Sequence, residues 1–375
     1  MTSTVPAGVE RDFVSAVSPL APRAGAGGHP CQGLYHHPAG FRPRVAVVAA
    51  HYDVDFAEHY LAPYLAARGY GFLGWNTRFR GNGMHFLLDH AVAEIGVGVR
   101  WLREEAGVEQ VVLLGNSGGG SLMAAYQAQA VAGTVTSSSL AAADAIGDLP
   151  PGDLFVSLAA HTGRPEVLTA WMDASVIDET DPAACDPSLD PYDPAHGPPF
   201  DEEFQARYRQ AQRARNHRVT AWVKAELGRL RSTRADDRLF TLYRTWADLR
   251  MIDPSIEPSE RRPTWCYRGD PQAANYGVHG IAMVSTLRSW LSMWSLETSE
   301  CQAARHLPHV TVPSLVIQAR GDTGVFPGDA RAMLEGLGAD DRRVVSLTGD
   351  HYFLSPGGAR DEVADVIAEW LGARR

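Results

Sequence analysis

The strongest constraint on the fold is a regular alternation of short apolar runs with helical patterns. The runs are rich in aliphatic and β-branched residues, and they cover residues 45–49, 72–75, 111–114, 154–158, 315–318 and 344–347. Runs that are apolar throughout are typical of strands covered on both faces. Between them, apolar residues recur at helical spacing, as at Leu88, Val92 and Ile95. This alternation predicts an α/β fold with a mostly parallel, doubly wound sheet.

The pattern changes over residues 161–309, which are polar, rich in Pro and Asp, and arginine-rich around residues 200–232. The first pattern then returns. We therefore predict that residues 1–160 and 310–375 form the core, with residues 161–309 inserted as a large helical cap. Trp290 and Trp294 either pack this cap on the core or line a substrate pocket, and the sequence leaves both alternatives open.

A Gly-x-Ser-x-Gly pattern lies between a predicted strand and a predicted helix. It reads Gly115-Asn116-Ser117-Gly118-Gly119. A serine on so tight a turn needs small residues two positions to either side, because larger side chains would collide. A phosphate-binding loop is the alternative, but no lysine follows the glycines. We predict that Ser117 is a nucleophile and that the amide of Gly118 donates to an oxyanion.

A nucleophilic serine needs a base, and the base needs an orienting acid. His351 follows the last predicted strand, and Asp322 follows the strand before it. Both positions lie at the carboxyl edge of the sheet, where open α/β sheets place their sites. Asp350 is the rival acid. Consecutive residues in an extended segment project to opposite sides, so we predict Asp322 as the acid.

The segments at residues 115–119, 320–322 and 349–351 resemble the three catalytic segments of α/β-hydrolases, and the resemblance extends over about residues 40–160 and 310–375. It implies the α/β-hydrolase fold, with a variable cap where the polar stretch lies. The loop at residues 50–53 reads Ala-His-Tyr-Asp instead of the usual His-Gly. The second oxyanion donor is then a backbone amide of this loop or the phenol of Tyr52, as in cocaine-esterase-like relatives. Residues 76–81 resemble a loop of dipeptidyl-peptidase-like and dienelactone-hydrolase-like relatives and are expected to brace the site.

The predicted activity is hydrolysis of a carboxylic ester or lactone through an acyl-enzyme on Ser117. Acyltransferase, thioesterase, amidase and C–C hydrolase activities use the same residues and stay open. A non-catalytic ligand-binding protein on this fold is the alternative from another class. The aromatic residues of the predicted cap favour a bulky, partly apolar small-molecule substrate.

The composition narrows the partners and the compartment. A net charge of −10 disfavours nucleic acid and anionic membrane surfaces. Four cysteines far apart in the sequence indicate neither a disulfide framework nor a zinc site, so we expect a cytoplasmic protein. We recognise no signal peptide and no membrane-spanning run. We expect the first 30 or so residues to form a partly ordered tail, and the oligomeric state stays open.

Two groups of residues could suggest a metal site. The aspartates of residues 178–193 resemble a calcium loop, but four of them precede proline, which is typical of turns, and the EF-hand glycine and terminal glutamate are missing. His36 and His37 are adjacent, and adjacent residues of a strand point to opposite faces. We therefore expect neither a metal nor an organic cofactor.

Overall fold

The computed structural model describes residues 8–20, 27–181 and 183–374. All six predicted strands are present, together with four others. The strands are β1 (Val9–Ala16), β2 (Cys31–Pro38), β3 (Val45–Ala50), β4 (Gly71–Asn76), β5 (Gln110–Asn116), β6 (Leu154–Leu158), β7 (Leu239–Thr241), β8 (Val284–Thr286), β9 (Ser314–Ala319) and β10 (Arg342–Leu347).

Eight of these strands form one sheet in the order β1-β2-β4-β3-β5-β6-β9-β10, and β7 pairs with β8 in a small separate sheet. Strand β2 is antiparallel to both its neighbours. The other six strands of this sheet, β4, β3, β5, β6, β9 and β10, are parallel to one another. The mostly parallel sheet is therefore confirmed. Its parallel strands end at one edge, which brings together the loops that follow β3, β5, β6, β9 and β10.

The prediction of a partly ordered tail up to about residue 30 was wrong for residues 9–16, which form β1 and pair with β2. Only Val9 and Val14 of this strand are buried. An edge strand so exposed lacks the continuous apolar run on which the prediction depended. The next strand carries the two histidines: His36 is buried, and His37 bonds through Nε2 to Asp12 of β1 at 3.0 Å.

Helices cover both faces of the sheet. They are α1 (Ala62–Ala66), α2 (Leu88–Glu104), α3 (Gly119–Ala132), α4 (Leu140–Ile146), α5 (Arg164–Trp171), α6 (Glu202–Leu230), α7 (Leu249–Ile252), α8 (Pro271–Tyr276), α9 (Leu287–Ser289), α10 (Ala303–His306), α11 (Pro327–Gly336) and α12 (Ala359–Gly372). One apolar cluster joins Ala46 and Val48 to α2 and α3. Another joins Val45 and Val47 to α1 and α12. No helix in the described ranges has the length and apolar character needed to cross a membrane.

Residues 161–309 lie between β6 and β9 and contain α5 to α10 and the small sheet. The arginine-rich pattern corresponds to α6, which is 29 residues long. The sequence left the roles of Trp290 and Trp294 undecided, and the two side chains differ in their surroundings. Trp290 is fully buried and donates through Nε1 to Thr220 at 3.0 Å, so it packs the segment. Trp294 lines a cavity of about 380 Å³ beside the loop after β3.

Candidate active site

Ser117 lies on the sharp turn between β5 and α3. Its φ angle of +84° is a strained value for a residue with a side chain. The flanking glycines explain how the chain makes this turn. A Cβ at Gly115 would lie 2.5 Å from Cα of Gly120, and a Cβ at Gly119 would lie 2.6 Å from the carbonyl oxygen of Ala50. Neither position has room for a side chain, as the pattern predicts.

Gly118 precedes the first turn of α3. Its amide has no hydrogen-bond partner in the part of the chain that the structure describes. The amide is therefore available to a ligand at a helix N-terminus, where the partial charge favours an oxyanion. Side chains crowd this glycine: a Cβ there would lie 2.8 Å from Nε2 of His51 and 3.0 Å from Cζ of Arg164.

Tyr52 is not placed as the alternative of a phenolic oxyanion donor requires. Its side chain is fully buried, and its hydroxyl bonds to Ser121 Oγ at 3.0 Å. Tyr52 is also absent from the residues that line the cavity at Ser117. The phenol points into the protein because the loop after β3 packs its ring against Phe86, at 5.0 Å between ring centroids. A backbone amide of the loop at residues 50–53 is the alternative that remains.

His351 and Asp322 meet although they are 29 positions apart in the chain. Nδ1 of His351 lies 2.6 Å from Oδ2 of Asp322, and both side chains are buried. The other carboxylate oxygen accepts from the amides of Gly324 and Val325 at 2.9 and 3.1 Å. With Nδ1 held in this way, Nε2 is the nitrogen left to face the cavity.

Asp350, the rival acid, is occupied within its own loop. Its Oδ1 accepts from the amides of Tyr352 and Leu354 at 2.9 and 3.0 Å. It therefore shapes the turn that carries His351, and the carboxylate that reaches the imidazole is Asp322.

Tyr267 is a residue of this site that the sequence did not reveal. Its hydroxyl donates to Oδ1 of Asp322 at 2.8 Å and lies 3.0 Å from Nδ1 of His351. It comes from the segment of residues 161–309, and its ring lies 4.7 Å from the ring of His351. No motif surrounds it in the sequence. Only the folding of the segment onto the strand ends places it here.

Ser117 and His351 line one cavity of about 480 Å³. Its walls also include four aromatic side chains, which are Trp171, Trp246, Tyr267 and Tyr352. Among the described residues, the Ser117 hydroxyl has no hydrogen bond to His351. Such bonds are often long in a ligand-free site and tighten when substrate binds.

The loop at residues 76–81 braces the loop that follows β3. Asn76 accepts from the amide of Phe56 at 2.8 Å, and the amide of Gly81 donates to the carbonyl of Asp53 at 2.7 Å. Arg78 is held by Glu94, with Nε 2.5 Å from Oε1, and both side chains are buried. This buried ion pair fixes the bracing loop against α2.

Two further histidines, His51 and His161, line the cavity at Ser117. Burial lowers the pKa of His51 to about 4, and it lowers the pKa of His161 well below its usual value. Both rings are therefore neutral near pH 7. Nδ1 of His161 accepts from the amide of Gly163 at 3.3 Å, so the proton of that ring is on Nε2. Nδ1 of His51 lies 3.2 Å from the amide nitrogen of Val54 and 3.5 Å from Oδ1 of Asp53.

The aspartates that resembled a calcium loop form turns. Asp178, Asp186 and Asp190 each accept, at 2.8 to 3.0 Å, from the amide two residues ahead. This is the geometry of an Asx turn. Within the described ranges, no group of three or more metal-ligating side chains is close enough to hold a metal ion.

No protein-family model matches the chain, and no curated protein matches it. Solved structures do resemble it. The esterase domain of a Rhodothermus marinus protein is 11% identical, with a TM-score of 0.48 over 96% of this chain and 97% of that one. Dienelactone hydrolase from Anabaena variabilis is 13% identical, with a TM-score of 0.44 over 98% of each chain. Brefeldin A esterase, a bacterial homologue of human hormone sensitive lipase, is 13% identical, with a TM-score of 0.49 over 99% of this chain and 78% of that one.

The fold is assigned from the strand order of this chain and from the positions of its serine, acid and histidine. The sheet has an antiparallel second strand followed by parallel strands. A serine with positive φ lies on the turn after β5, and an acid and a histidine follow β9 and β10. This chain has the α/β-hydrolase fold.

Proposed function

We propose that the protein is a serine hydrolase that cleaves a carboxylic ester or a lactone through an acyl-enzyme on Ser117. The observation that carries the proposal is the 2.6 Å contact between His351 and Asp322 beside the cavity that Ser117 lines. In this role Nε2 of His351 takes the proton of the serine hydroxyl as the oxygen attacks the carbonyl carbon. The same nitrogen then returns the proton to the leaving alcohol.

The negative charge that develops on the carbonyl oxygen needs donors in place before the reaction. The amide of Gly118 is one donor, and a backbone amide of the loop at residues 50–53 is the other. Asp322 keeps the proton of His351 on Nδ1 and stabilises the imidazolium that forms. Water then attacks the acyl-enzyme, with His351 again as base.

Residues 161–309 act as a cap in this proposal, because they supply much of the cavity wall. Trp171, Trp246 and Tyr267 come from this segment. Ser117 and His351 come from residues 1–160 and 310–375, which carry the large sheet and which we call the sheet domain. A cavity of about 480 Å³ with aromatic walls suits a bulky, partly apolar acyl group.

A fluorophosphonate probe and p-nitrophenyl esters test the proposal. The wild type is expected to be labelled at Ser117 and to hydrolyse the esters. Ser117→Ala is expected to lose labelling and to lose turnover by about 10^4- to 10^6-fold. Ser121→Ala is the matched control. Its hydroxyl bonds to Tyr52 and is fully buried, so labelling should persist.

Retention of labelling and turnover by Ser117→Ala would refute the assignment of the nucleophile. A wild-type protein that neither labels nor turns over esters, lactones, thioesters or amides would favour a ligand-binding protein. Comparison of those four substrate classes, with and without an alcohol acceptor, separates the hydrolase from the acyltransferase.

A further inference from the structure

The side chains around the Ser117 cavity offer many hydrogen-bond donors and no carboxylate. The described residues that line it include three histidines and two arginines, and none of them is Asp, Glu, Asn or Gln. His161 carries its proton on Nε2, so it presents an N–H group. A cavity of this composition is suited to a ligand with anionic oxygens.

Arg164 is the centre of this donor set. It begins α5, it is 7% exposed, and it lines both the Ser117 cavity and the neighbouring one. Its Nη2 lies 3.3 Å from Oδ1 of Asp53. Burial acts to raise the pKa of Asp53, but His51 and Arg164 lower it to about 2, so this carboxylate is ionised.

Asp53 accepts a hydrogen bond from Nη2 of Arg164 and leaves Nε of the same guanidinium without an acceptor among the described residues. This nitrogen is buried. A buried guanidinium is normally bonded through most of its donors, since an unmade bond to a charged group is costly. The free donor therefore indicates a missing acceptor.

His51 occupies another part of the guanidinium. Nη2 of Arg164 lies 3.4 Å from Nε2 of His51, and Nδ1 of His51 lies 3.5 Å from Oδ1 of Asp53. The hydrogen bond by which His51 lowers the pKa of Asp53 places the ring proton on Nδ1, so Nε2 accepts from Arg164. Nε of Arg164 is then the donor that is left for an anionic oxygen.

The position of the guanidinium determines where such an anion would lie. Arg164 is next to Gly118, whose amide is the proposed oxyanion donor, and a Cβ at Gly118 would be 3.0 Å from its Cζ. A group bound by Arg164 is therefore only a few bonds from the scissile carbonyl.

We propose that Arg164, together with Nε2 of His161, binds a carboxylate on the acyl side of the substrate. This inference rests on the proposed function and specifies its substrate class: esters or lactones whose acyl part carries an acid group near the scissile carbonyl. The aromatic walls of the cavity then hold the remainder of the substrate.

Monomethyl succinate and methyl butyrate test this site, because their acyl chains have equal length and differ in the terminal carboxylate. Hydrolysis is followed in a pH-stat at pH 7.5. The wild type is expected to have a kcat/KM about tenfold or more higher for monomethyl succinate. Arg164→Gln should reduce this ratio at least tenfold, mainly through KM, and Arg164→Lys should reduce it less.

Arg268→Gln is the matched control, since Arg268 lines the same cavity but is exposed. Its effect on the ratio should be small and should vanish in 0.5 M salt, whereas the effect of Arg164 should persist. A second test uses only the wild type and so does not depend on a variant that folds. Succinate should slow fluorophosphonate labelling more than butyrate does at equal ionic strength.

A wild type without preference for monomethyl succinate would overturn the carboxylate site. So would equal losses on both esters in Arg164→Gln, which would assign Arg164 to the oxyanion or to the fold. In either case, labelling at Ser117 and hydrolysis of methyl butyrate would leave the proposed function standing. If the wild type showed neither labelling at Ser117 nor hydrolysis of either ester, the proposed function itself would be refuted.

Discussion

The strands of the sheet bury mainly apolar side chains, whereas the segment of residues 161–309 also buries several ion pairs. All six residues of β3 and all six of β4 are buried, and the two main apolar clusters lie on the two faces of the sheet. In the segment, by contrast, Arg215 is fully buried and bonds to Glu179 at 2.6 Å and to the carbonyl of Asp173 at 2.9 Å. Asp173 also forms a buried ion pair with Arg244 at 2.6 Å.

This difference has a consequence for the site. Apolar burial is roughly proportional to area and tolerates many sequences, so the sheet can carry the same catalytic framework in proteins with little identity. Buried ion pairs require specific partners in a specific geometry. We therefore expect single side chains of this segment, such as Arg164 and Tyr267, to be held in fixed positions and to influence selectivity. The comparison therefore predicts that the sheet domain supplies the chemistry and that the segment adjusts it.

The largest effect is expected for the acid of the sheet domain. Asp322→Asn should lower kcat by about 10^4-fold, because the amide would favour the wrong tautomer of His351. Asp350→Asn is the matched control and should change kcat far less, since the Asp350 carboxylate accepts from amides of its own loop. Both are measured on one activated ester after circular dichroism has shown that the variants fold. A reversed ranking would move the acid to Asp350.

A smaller effect is expected for Tyr267, which tests whether the segment contributes to the chemistry. Tyr267→Phe removes the donor that lies 2.8 Å from Asp322 and should lower kcat about tenfold on every ester. The reason is that this donor orients the carboxylate, so its loss leaves Asp322 less well placed to hold the imidazolium. An unchanged kcat would confine the catalytic machinery to the sheet domain.

The aromatic wall should affect selectivity more than rate. Trp246→Ala enlarges the cavity, so the ratio of kcat/KM for long over short p-nitrophenyl esters should change by about three- to tenfold. Trp290→Phe is the control, because Trp290 packs the segment and lies outside the cavity lining. Equal ratios in the wild type and Trp246→Ala would argue against a cap that selects the acyl group.

The smallest effect concerns stability. Burial raises the pKa of Glu166 from 4.5 to about 7, and its Oε2 has no partner among the described residues. Ionisation therefore destabilises the folded state: the stability present below pH 4.5 is lost as the pH rises through about 7. At pH 8 the free energy of unfolding of Glu166→Gln should be about 1–3 kcal/mol higher than that of the wild type. The difference should vanish near pH 4.

Urea unfolding at the two pH values measures this difference, with the exposed Glu203→Gln as control. A gain in stability that is equal at both pH values would mean that ionisation of Glu166 does not oppose folding.

Much of the sheet domain could be predicted from the sequence. Continuous apolar runs identified six strands, and glycines without room for a Cβ marked the turn at Ser117. The order of strands along the chain placed Asp322 and His351 at one edge, because the carboxyl ends of parallel strands meet there. The exposed strand β1 escaped prediction, since an edge strand with two buried residues shows little apolar pattern.

The sequence by itself determined the sheet, the serine turn and the order of Ser117, Asp322 and His351, because these depend on local patterns and on chain order. The tertiary structure decided that Tyr52 turns its phenol to Ser121, that Tyr267 reaches Asp322, and that Arg164 lies beside Gly118. Each of these contacts joins residues more than 40 positions apart through a single side chain. No periodicity encodes such a contact. Those of Tyr267 and Arg164 exist only once the segment of residues 161–309 has packed against the strand ends.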